Sequence, residues 1–343
     1  MTLLGFALAH QSIAQQGSAL RFGSKVPADV KRIYQRGLNH LVQTQDDSGS
    51  WMGTRTSSNQ NGINALCILA LLASGEDPNH GHYAASLRRG LKRLILSQDS
   101  DTGYFENSMY NHGFSMLALA EAYGAVDDQL LWKGSKEEKG RSVGEALELS
   151  VRCAITSQNQ NPYGAWRYSP EAKDADTSVA GAVFVGLLAA RNAGIEVPDE
   201  NMDRAFDYFA LLTSKNGSVS YSGLAGGPGT SLARSSIGTL VFAIGKRKDW
   251  KEYARTSKHI KDNIDNTAGG HFSEQYTSYY LAQALFQSDF EAWKVWNERT
   301  IRHFKNLQNE DGSFEANYGR AFGTSMSLLA LALNYRLLPI YER

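Results

Sequence analysis

One short pattern recurs along this chain and limits what it can fold into. A glutamine is followed by a few polar residues, a glycine and, two positions later, an aromatic. It reads QTQDDSGSW at 43–51, SQDSDTGYF at 97–105, SQNQNPYGAW at 157–166 and LQNEDGSF at 307–314. The glycines of the series are Gly49, Gly103, Gly164, Gly217, Gly270 and Gly312, spaced by 54, 61, 53, 53 and 42 residues. Trp51, Phe105, Trp166, Val219, Phe272 and Phe314 follow them. The fourth and fifth copies have lost the glutamine, and the others keep Gln45, Gln98, Gln158 and Gln308. Self-similarity at a period of this length marks a repeat architecture.

Each copy lies between two kinds of helical pattern. Before it comes a charged stretch with apolar residues at three- and four-residue spacing, such as 28–43 or 83–98, which predicts a helix with one wet face. After it comes a nearly uncharged stretch, such as 61–75, 110–124, 176–194 or 323–335, which predicts a helix buried on most sides. The unit is therefore outer helix, polar turn, inner helix, repeated six times. The chain is expected to be all-α: an α/α toroid, an α6/α6 barrel of six helical hairpins and twelve main helices in two concentric layers. It spans 28–343 as one domain. Small residues on the inner helices, among them Ala65, Ala70, Gly181, Ala182, Gly186 and Gly238, allow close packing. In the turns, glycine makes the tight bend, the aromatic packs on a neighbouring hairpin, and the glutamine amide satisfies backbone groups at a helix end. The motif is thus read as structural. An open solenoid is the competing architecture, disfavoured because neither terminal repeat is polar enough to be a cap. The insert at 126–144 is read as a solvated loop or lid.

Lys plus Arg and Asp plus Glu both number 35, so the formal net charge is zero. No basic face of the kind nucleic-acid binders carry is expected, and no apolar run reaches transmembrane length. The two cysteines, Cys67 and Cys153, fall in apolar helical stretches and read as buried thiols. Residues 3–9 are apolar and 12–16 offer small residues around Ala14, which resembles the end of an export signal without its usual basic start. Residues 1–27 are therefore expected to be a signal-like or flexible segment, and the protein exported or periplasmic, with a cytoplasmic protein as the alternative.

The turn pattern resembles the QW repeat of the prenyltransferase and squalene-cyclase superfamily. Residues 36–51 and 153–166 carry the closest matches, and the resemblance covers nearly all of the chain after residue 28. More narrowly, 110–124, 166–181 and 334–341 look like the single-domain squalene-cyclase-like repeat proteins of planctomycete-type bacteria. The resemblance implies the toroid strongly and the activity weakly.

In a toroid the inner helices run parallel, so their N-termini and positive dipole ends meet at one mouth. Residues at those starts are the candidates for a central cavity: Asn59, Asn61, Tyr110, Asn111, His112, Asp174, Asp176, Thr177, Arg234, Tyr276, Tyr279, Tyr280 and Arg320, with Trp166 and Tyr168 from the adjoining turn. Aromatic walls with a few polar groups suit a small molecule. Squalene-hopene cyclases carry an Asp-x-Asp-Asp-Thr motif whose middle aspartic acid protonates an alkene. Counted from its first residue, DADTS at 174–178 puts Asp176 in the acid's place. Counted from its Asp-Thr end, it puts Ala175 there and leaves Asp176 as the helix cap, with Asp174 favoured by the dipole. His112 reads either as a base or ligand, or as a hydrogen-bonded core residue. Tyr276, Tyr279 and Tyr280 share a helix face and offer ring faces to a cation, though core packing explains them equally. No zinc-ligand spacing, aspartate-rich magnesium motif, thioester motif, phosphate loop or dinucleotide fingerprint appears, so neither a metal nor a cofactor is expected.

Three functions fit. The first is a terpene-cyclase-like toroid that binds a hydrophobic, isoprenoid ligand, with an aspartic acid starting a cyclisation. The second is a non-catalytic toroid that binds a ligand or a protein partner. The third is a carbohydrate-active toroid, which needs two carboxylates across the site.

Overall fold

Each described motif copy folds into a tight turn, and the same bonds recur among these turns. The glycine N–H closes the bend on a carbonyl three residues back, Gly49 on Asp46, Gly164 on Asn161 and Gly312 on Asn309, at 2.9 to 3.1 Å. The glutamine amide then spans two hairpins. Gln45 Nε2 donates to Gly49 O and to Ser86 O in the next outer helix, each at 3.0 Å. Gln158 does the same to Gly164 O at 2.7 Å and Asn201 O at 2.8 Å, and Gln308 to Gly312 O at 3.0 Å and Ile33 O at 2.9 Å. The tryptophans point backward: Trp51 Nε1 donates to Leu41 O at 2.6 Å and Trp166 Nε1 to Ala154 O at 2.8 Å. In both cases the acceptor lies four residues before the motif glutamine.

The computed structural model describes residues 26–52, 60–134, 140–222, 231–265 and 274–341. The outer helices are α1 (Ala28–Thr44), α3 (Ala84–Leu96), α6 (Val143–Gln160), α8 (Asp199–Leu212), α10 (Lys251–Asp262) and α12 (Phe290–Leu307). The inner helices are α2 (Gln60–Leu72), α4 (Met109–Ala122), α7 (Thr177–Asn192), α9 (Leu232–Ile244), α11 (Glu274–Ser288) and α13 (Arg320–Leu331). A short α5 (Asp128–Trp132) and two 3-10 turns, Ala332–Asn334 and Pro339–Tyr341, complete the described helices. Among the described residues there are no strands, only isolated backbone pairings inside turns, such as Gln45 with Trp51.

Amphipathicity sorts the two layers as the sequence requires. Outer helix α1 buries one stripe, Val30, Ile33, Tyr34, Gly37, Leu38 and Leu41. Inner helix α7 is buried without interruption from Thr177 to Ala190. Inner helices touch in the order α2, α4, α7, α9, α11, α13, and α13 returns to α2. Outer helix α12 likewise packs on α1, and Arg36 Nη2 of α1 donates to Asn309 O of the last turn at 2.8 Å. The ring is closed, and the open solenoid is excluded. Helices α4 and α7 approach closely, and a side chain at Gly113 would lie 2.6 Å from the Ala182 carbonyl carbon.

All motif turns lead from an outer helix into an inner one, so they share the rim where the inner helices start. The opposite end is closed differently. The described part of the 126–144 insert, 126–134 and 140–144, follows the C-terminus of α4 and so lies at that far end. It is also not simply solvated: Val126, Leu131 and Trp132 are buried, and Trp132 Nε1 donates to Arg141 O. The C-terminal segment crosses the same end. Leu338 and Ile340 are buried, and the Ile340 N–H is accepted by Glu121 Oε1 at 3.2 Å. Cys67 and Cys153 are free and buried, and burial raises both thiols above their ordinary pKa. No described helix is long and apolar enough to cross a membrane. Residues 1–25, Asn59, Gly270 and Phe272 lie outside the described residues.

Candidate functional site at the mouth of the inner ring

The loop from Trp166 to Asp176 builds the most chemically distinctive corner of the mouth. Asn161 Nδ2 pins it by donating to Ala172 O and Asp174 O, both at 2.9 Å. Its ends then meet, because the Asp176 N–H donates to Trp166 O. Asp176 caps α7: Oδ1 accepts the N–H groups of Ser178 and Val179, each at 2.9 Å. The second oxygen, Oδ2, is buried without a hydrogen-bond donor and faces Arg167 Nε at 3.4 Å. The carboxyl is pushed up to about 6 because burial disfavours its charge, against the pull of the helix amides and Arg167. Asp174 sits on the rim, 62% exposed, and holds Arg167 Nη1 at 2.6 Å.

A stack of rings and guanidiniums runs outward from this corner. Arg167 lies 5.6 Å from the Tyr168 ring centre and 5.5 Å from that of Tyr221, and Arg234 lies 5.8 Å from the Tyr221 ring centre. The Tyr168 and Tyr221 hydroxyls meet at 3.1 Å. The Thr177 N–H donates to Tyr221 O at 2.9 Å, and Arg234 Nε donates to Val219 O at 3.2 Å, tying α7 and α9 to the fourth turn.

On the ring axis the side chains are aromatic. Tyr110 of α4 and Tyr276 of α11 join through their hydroxyls. Tyr276 also packs edge-on against Tyr280 at 5.0 Å, and Tyr279 approaches Phe114 at 6.3 Å. Burial raises the Tyr110 hydroxyl well above the ordinary tyrosine range, and Tyr280 and Asp176 add to the rise.

The structure thus brings Asp174, Asp176, Thr177, Tyr168 and Arg234 together at one corner of the mouth, and Tyr110, Tyr276, Tyr279 and Tyr280 on its axis. It leaves His112, Asn111 and Trp166 elsewhere. His112 is fully buried and faces outer helix α6. Its Nδ1 accepts the Phe105 N–H at 3.3 Å, so the proton resides on Nε2, which donates to Ser150 O at 2.9 Å. Burial lowers this imidazole to about 4, which keeps it neutral. Three other inner helices use the same early position for the same bond, with Asn64 accepting from Trp51, Ser235 from Val219 and Thr324 from Phe314. Asn111 bridges α2 to the second turn, accepting the Gly62 N–H and donating to Glu106 O. Trp166 is packed into the wall between hairpins. Of the further inner-helix starts, Arg320 is held by Asp311 and Glu315 on the rim.

Arg167 and Tyr221 lie at the same corner and Phe114 meets Tyr279 across the ring, and none of the three is among the sequence candidates. A register signal exists for Tyr221. It follows Val219 by two residues, as Tyr168 follows Trp166, so copies three and four each put a tyrosine at the same place beside the mouth. Among the described residues no group of three or more His, Cys, Asp or Glu side chains converges.

No family model matches this chain. Solved structures do. It is similar to the GH76A α-1,6-mannanase of Salegentibacter sp. HEL1_6, with a TM-score of 0.64 at 10% identity over 90% of this chain and 99% of that one. An inactive variant of that enzyme, with two neighbouring aspartates changed to asparagine, is known in complex with α-1,6-mannotriose and matches equally well. The chain is also similar to a variant of the type II terpene cyclase MstE from Scytonema, with one arginine changed to alanine, in complex with its substrate geranylgeranyl dihydroxybenzoate. There the TM-score is 0.62 at 12% identity, over 90% of this chain and 98% of that one. At these identities the likeness is one of fold: this chain is an α/α toroid.

Proposed function

We propose that this protein is a terpene-cyclase-like toroid of the QW-repeat type that binds a hydrophobic, isoprenoid ligand at the inner-ring mouth. Asp176 is its acid. One observation carries the reading: a single carboxyl has one oxygen fixed by helix amides and the other buried, without a hydrogen-bond donor and beside Arg167. In its protonated form Oδ2–H is the donor. Its proton passes to a terminal alkene carbon, the alkene π pair forms the new C–H bond, and a tertiary cation remains. The accessible face of Tyr110 stabilises that cation. Loss of a proton to solvent ends the sequence and solvent returns a proton to Asp176, so the product is an isomer of the substrate. Since the carboxyl titrates near 6, turnover should rise as pH falls through that value.

A second reading rests on the same residue. Asp176 is a helix cap, and the Asp-Thr end of the motif aligns Ala175 with the acid, which supports a binding protein without turnover. A carbohydrate site is less well supported. Asp174 and Asp176 share one guanidinium on one loop and do not face each other across the mouth. Export stays part of the proposal, and the N-terminal residue of the mature protein tests it.

The deciding experiment incubates wild type and Asp176→Asn with geraniol, farnesol, geranylgeraniol and α-1,6-mannotriose. Product analysis is paired with thermal-shift binding. Isoprenoid isomers from wild type and none from Asp176→Asn support the acid. Binding without turnover in both supports the second reading. Shifts with mannotriose alone overturn the isoprenoid assignment.

A further inference from the structure

A ring of six inner helices places α4 and α11 on opposite sides, since each is separated from the other by two helices in either direction. Contacts between them therefore cross the axis. Two do. The Tyr110 and Tyr276 hydroxyls bond one turn or less into their helices, and Phe114 meets Tyr279 one turn further down. Tyr110 also stacks on Phe114 at 5.7 Å, which joins the two levels. Exposure changes sharply at this depth. Tyr110 is half-buried, whereas Tyr276, Phe114, Tyr279 and Tyr280 are all 4% exposed or less. Two aromatic contacts thus cross the axis near the helix starts, where the sequence reading places a central cavity.

We infer that Tyr110 and Tyr276 form the floor of the ligand site and set the length of the ligand it accepts. The inference rests on the isoprenoid reading for its ligand class and deepens it: the mouth takes a short prenyl chain that lies on the tyrosine pair, not a long one threaded along the axis. The geometry gives each ring a part. Tyr110, the exposed member, is the surface a ligand touches. Tyr276 is wedged between Tyr110 and Tyr280 and holds Tyr110 across the opening. Removing the Tyr110 ring opens the axis downward to Phe114. Removing only its hydroxyl cuts the bond to Tyr276 but leaves the ring in place as a floor.

The test compares wild type, Tyr110→Ala and Tyr110→Phe, each first checked by circular dichroism for an intact helical fold. Binding of geraniol, farnesol and geranylgeraniol is measured by titration. In wild type the affinity should stop rising after the shorter probes. In Tyr110→Ala the longest probe should gain about tenfold, the effect of burying roughly two more methylene groups, while Tyr110→Phe keeps the wild-type profile. A wild-type affinity that climbs through geranylgeraniol, with no change in Tyr110→Ala, overturns the floor and leaves the isoprenoid reading standing. If no probe binds wild type, the isoprenoid reading fails and a second measurement judges the floor. Indole should then raise the melting temperature of Tyr110→Ala but not of wild type, because only the variant has an aromatic-lined space on the axis. No rise in the variant overturns the floor whatever the natural ligand is. Should Tyr110→Ala not fold, Tyr110→Val, which also removes the ring, takes its place in both measurements.

Discussion

Replacing Gly312 by alanine tests the closed ring at its seam. Gly312 has φ +87°, and an added Cβ would lie 2.3 Å from the Arg36 carbonyl oxygen of α1. Two penalties therefore add. The left-handed backbone costs an alanine about 1–2 kcal/mol. The clash with a helix backbone costs a further 1–3 kcal/mol or so, as overpacking does, because a carbonyl inside α1 has little room to move. The reduced freedom of the unfolded chain offsets about 0.4–1 kcal/mol. The sum for Gly312→Ala is a loss of about 2–4 kcal/mol. Gly124→Ala is the matched control. Its φ is +76° but nothing lies within 4 Å of the added carbon, so only the backbone penalty applies, about 1 kcal/mol net. Urea unfolding of the two variants and wild type, followed by circular dichroism, gives the difference directly. Equal losses within about 0.5 kcal/mol would show that the last turn does not rest on α1, and would refute the closure argued from these contacts.

Trp51→Ala and Trp166→Ala should each lose about 3–5 kcal/mol, the range for truncating a packed aromatic, since both rings are buried and bonded to a helix carbonyl. Denaturation midpoints within experimental scatter of wild type would contradict the structural role of the motif. Asp176→Asn has a pH signature. A carboxyl raised from 3.8 to about 6 favours the native state most at low pH, and that contribution is lost as pH rises through about 6. Asparagine caps as well and does not ionise. The stability of the variant relative to wild type should therefore improve between pH 4 and pH 7, by up to roughly 3 kcal/mol. A pH-independent difference would mean that Oδ2 is not the desolvated group it looks to be.

Repetition made the fold readable. Six alternations of wet and dry helices leave few architectures, and the glycine turns mark where each hairpin bends. What stayed hidden depends on which distant segments meet. Arg89 and Arg204 each follow a motif glycine by 40 residues and clamp the preceding turn, Arg89 on Gln45 Oε1 and Arg204 on the carbonyls of Gln158 and Asn161. That regularity is in the sequence, but its purpose appears only once the next outer helix lies beside the turn. His112 shows the opposite error. Its residue type invites chemistry, yet it occupies the same acceptor position as Asn64, Ser235 and Thr324. Those positions fall 13, 7, 16 and 10 residues after the motif residues Trp51, Phe105, Val219 and Phe314, so loops of unequal length mask the equivalence. The bond between Tyr110 and Tyr276 joins residues 166 apart, and no local pattern announces it.

The seam between the last hairpin and the first has a consequence for how the protein is made. The bond from Arg36 to Asn309 links residues 273 apart, so nothing α1 presents on that side meets its partner until synthesis is nearly finished. At about 5–20 residues per second, the growing chain spends on the order of tens of seconds as an unfinished ring. During that time α1 and α2 carry apolar faces meant for α12 and α13. An exposed edge of this kind is where a second nascent chain can dock its own late hairpin, giving a swapped dimer in place of a closed monomer. Slowing translation anywhere between the first hairpin and the last should therefore raise the yield of domain-swapped or aggregated protein, whereas slowing it before α1 has been made should have little effect.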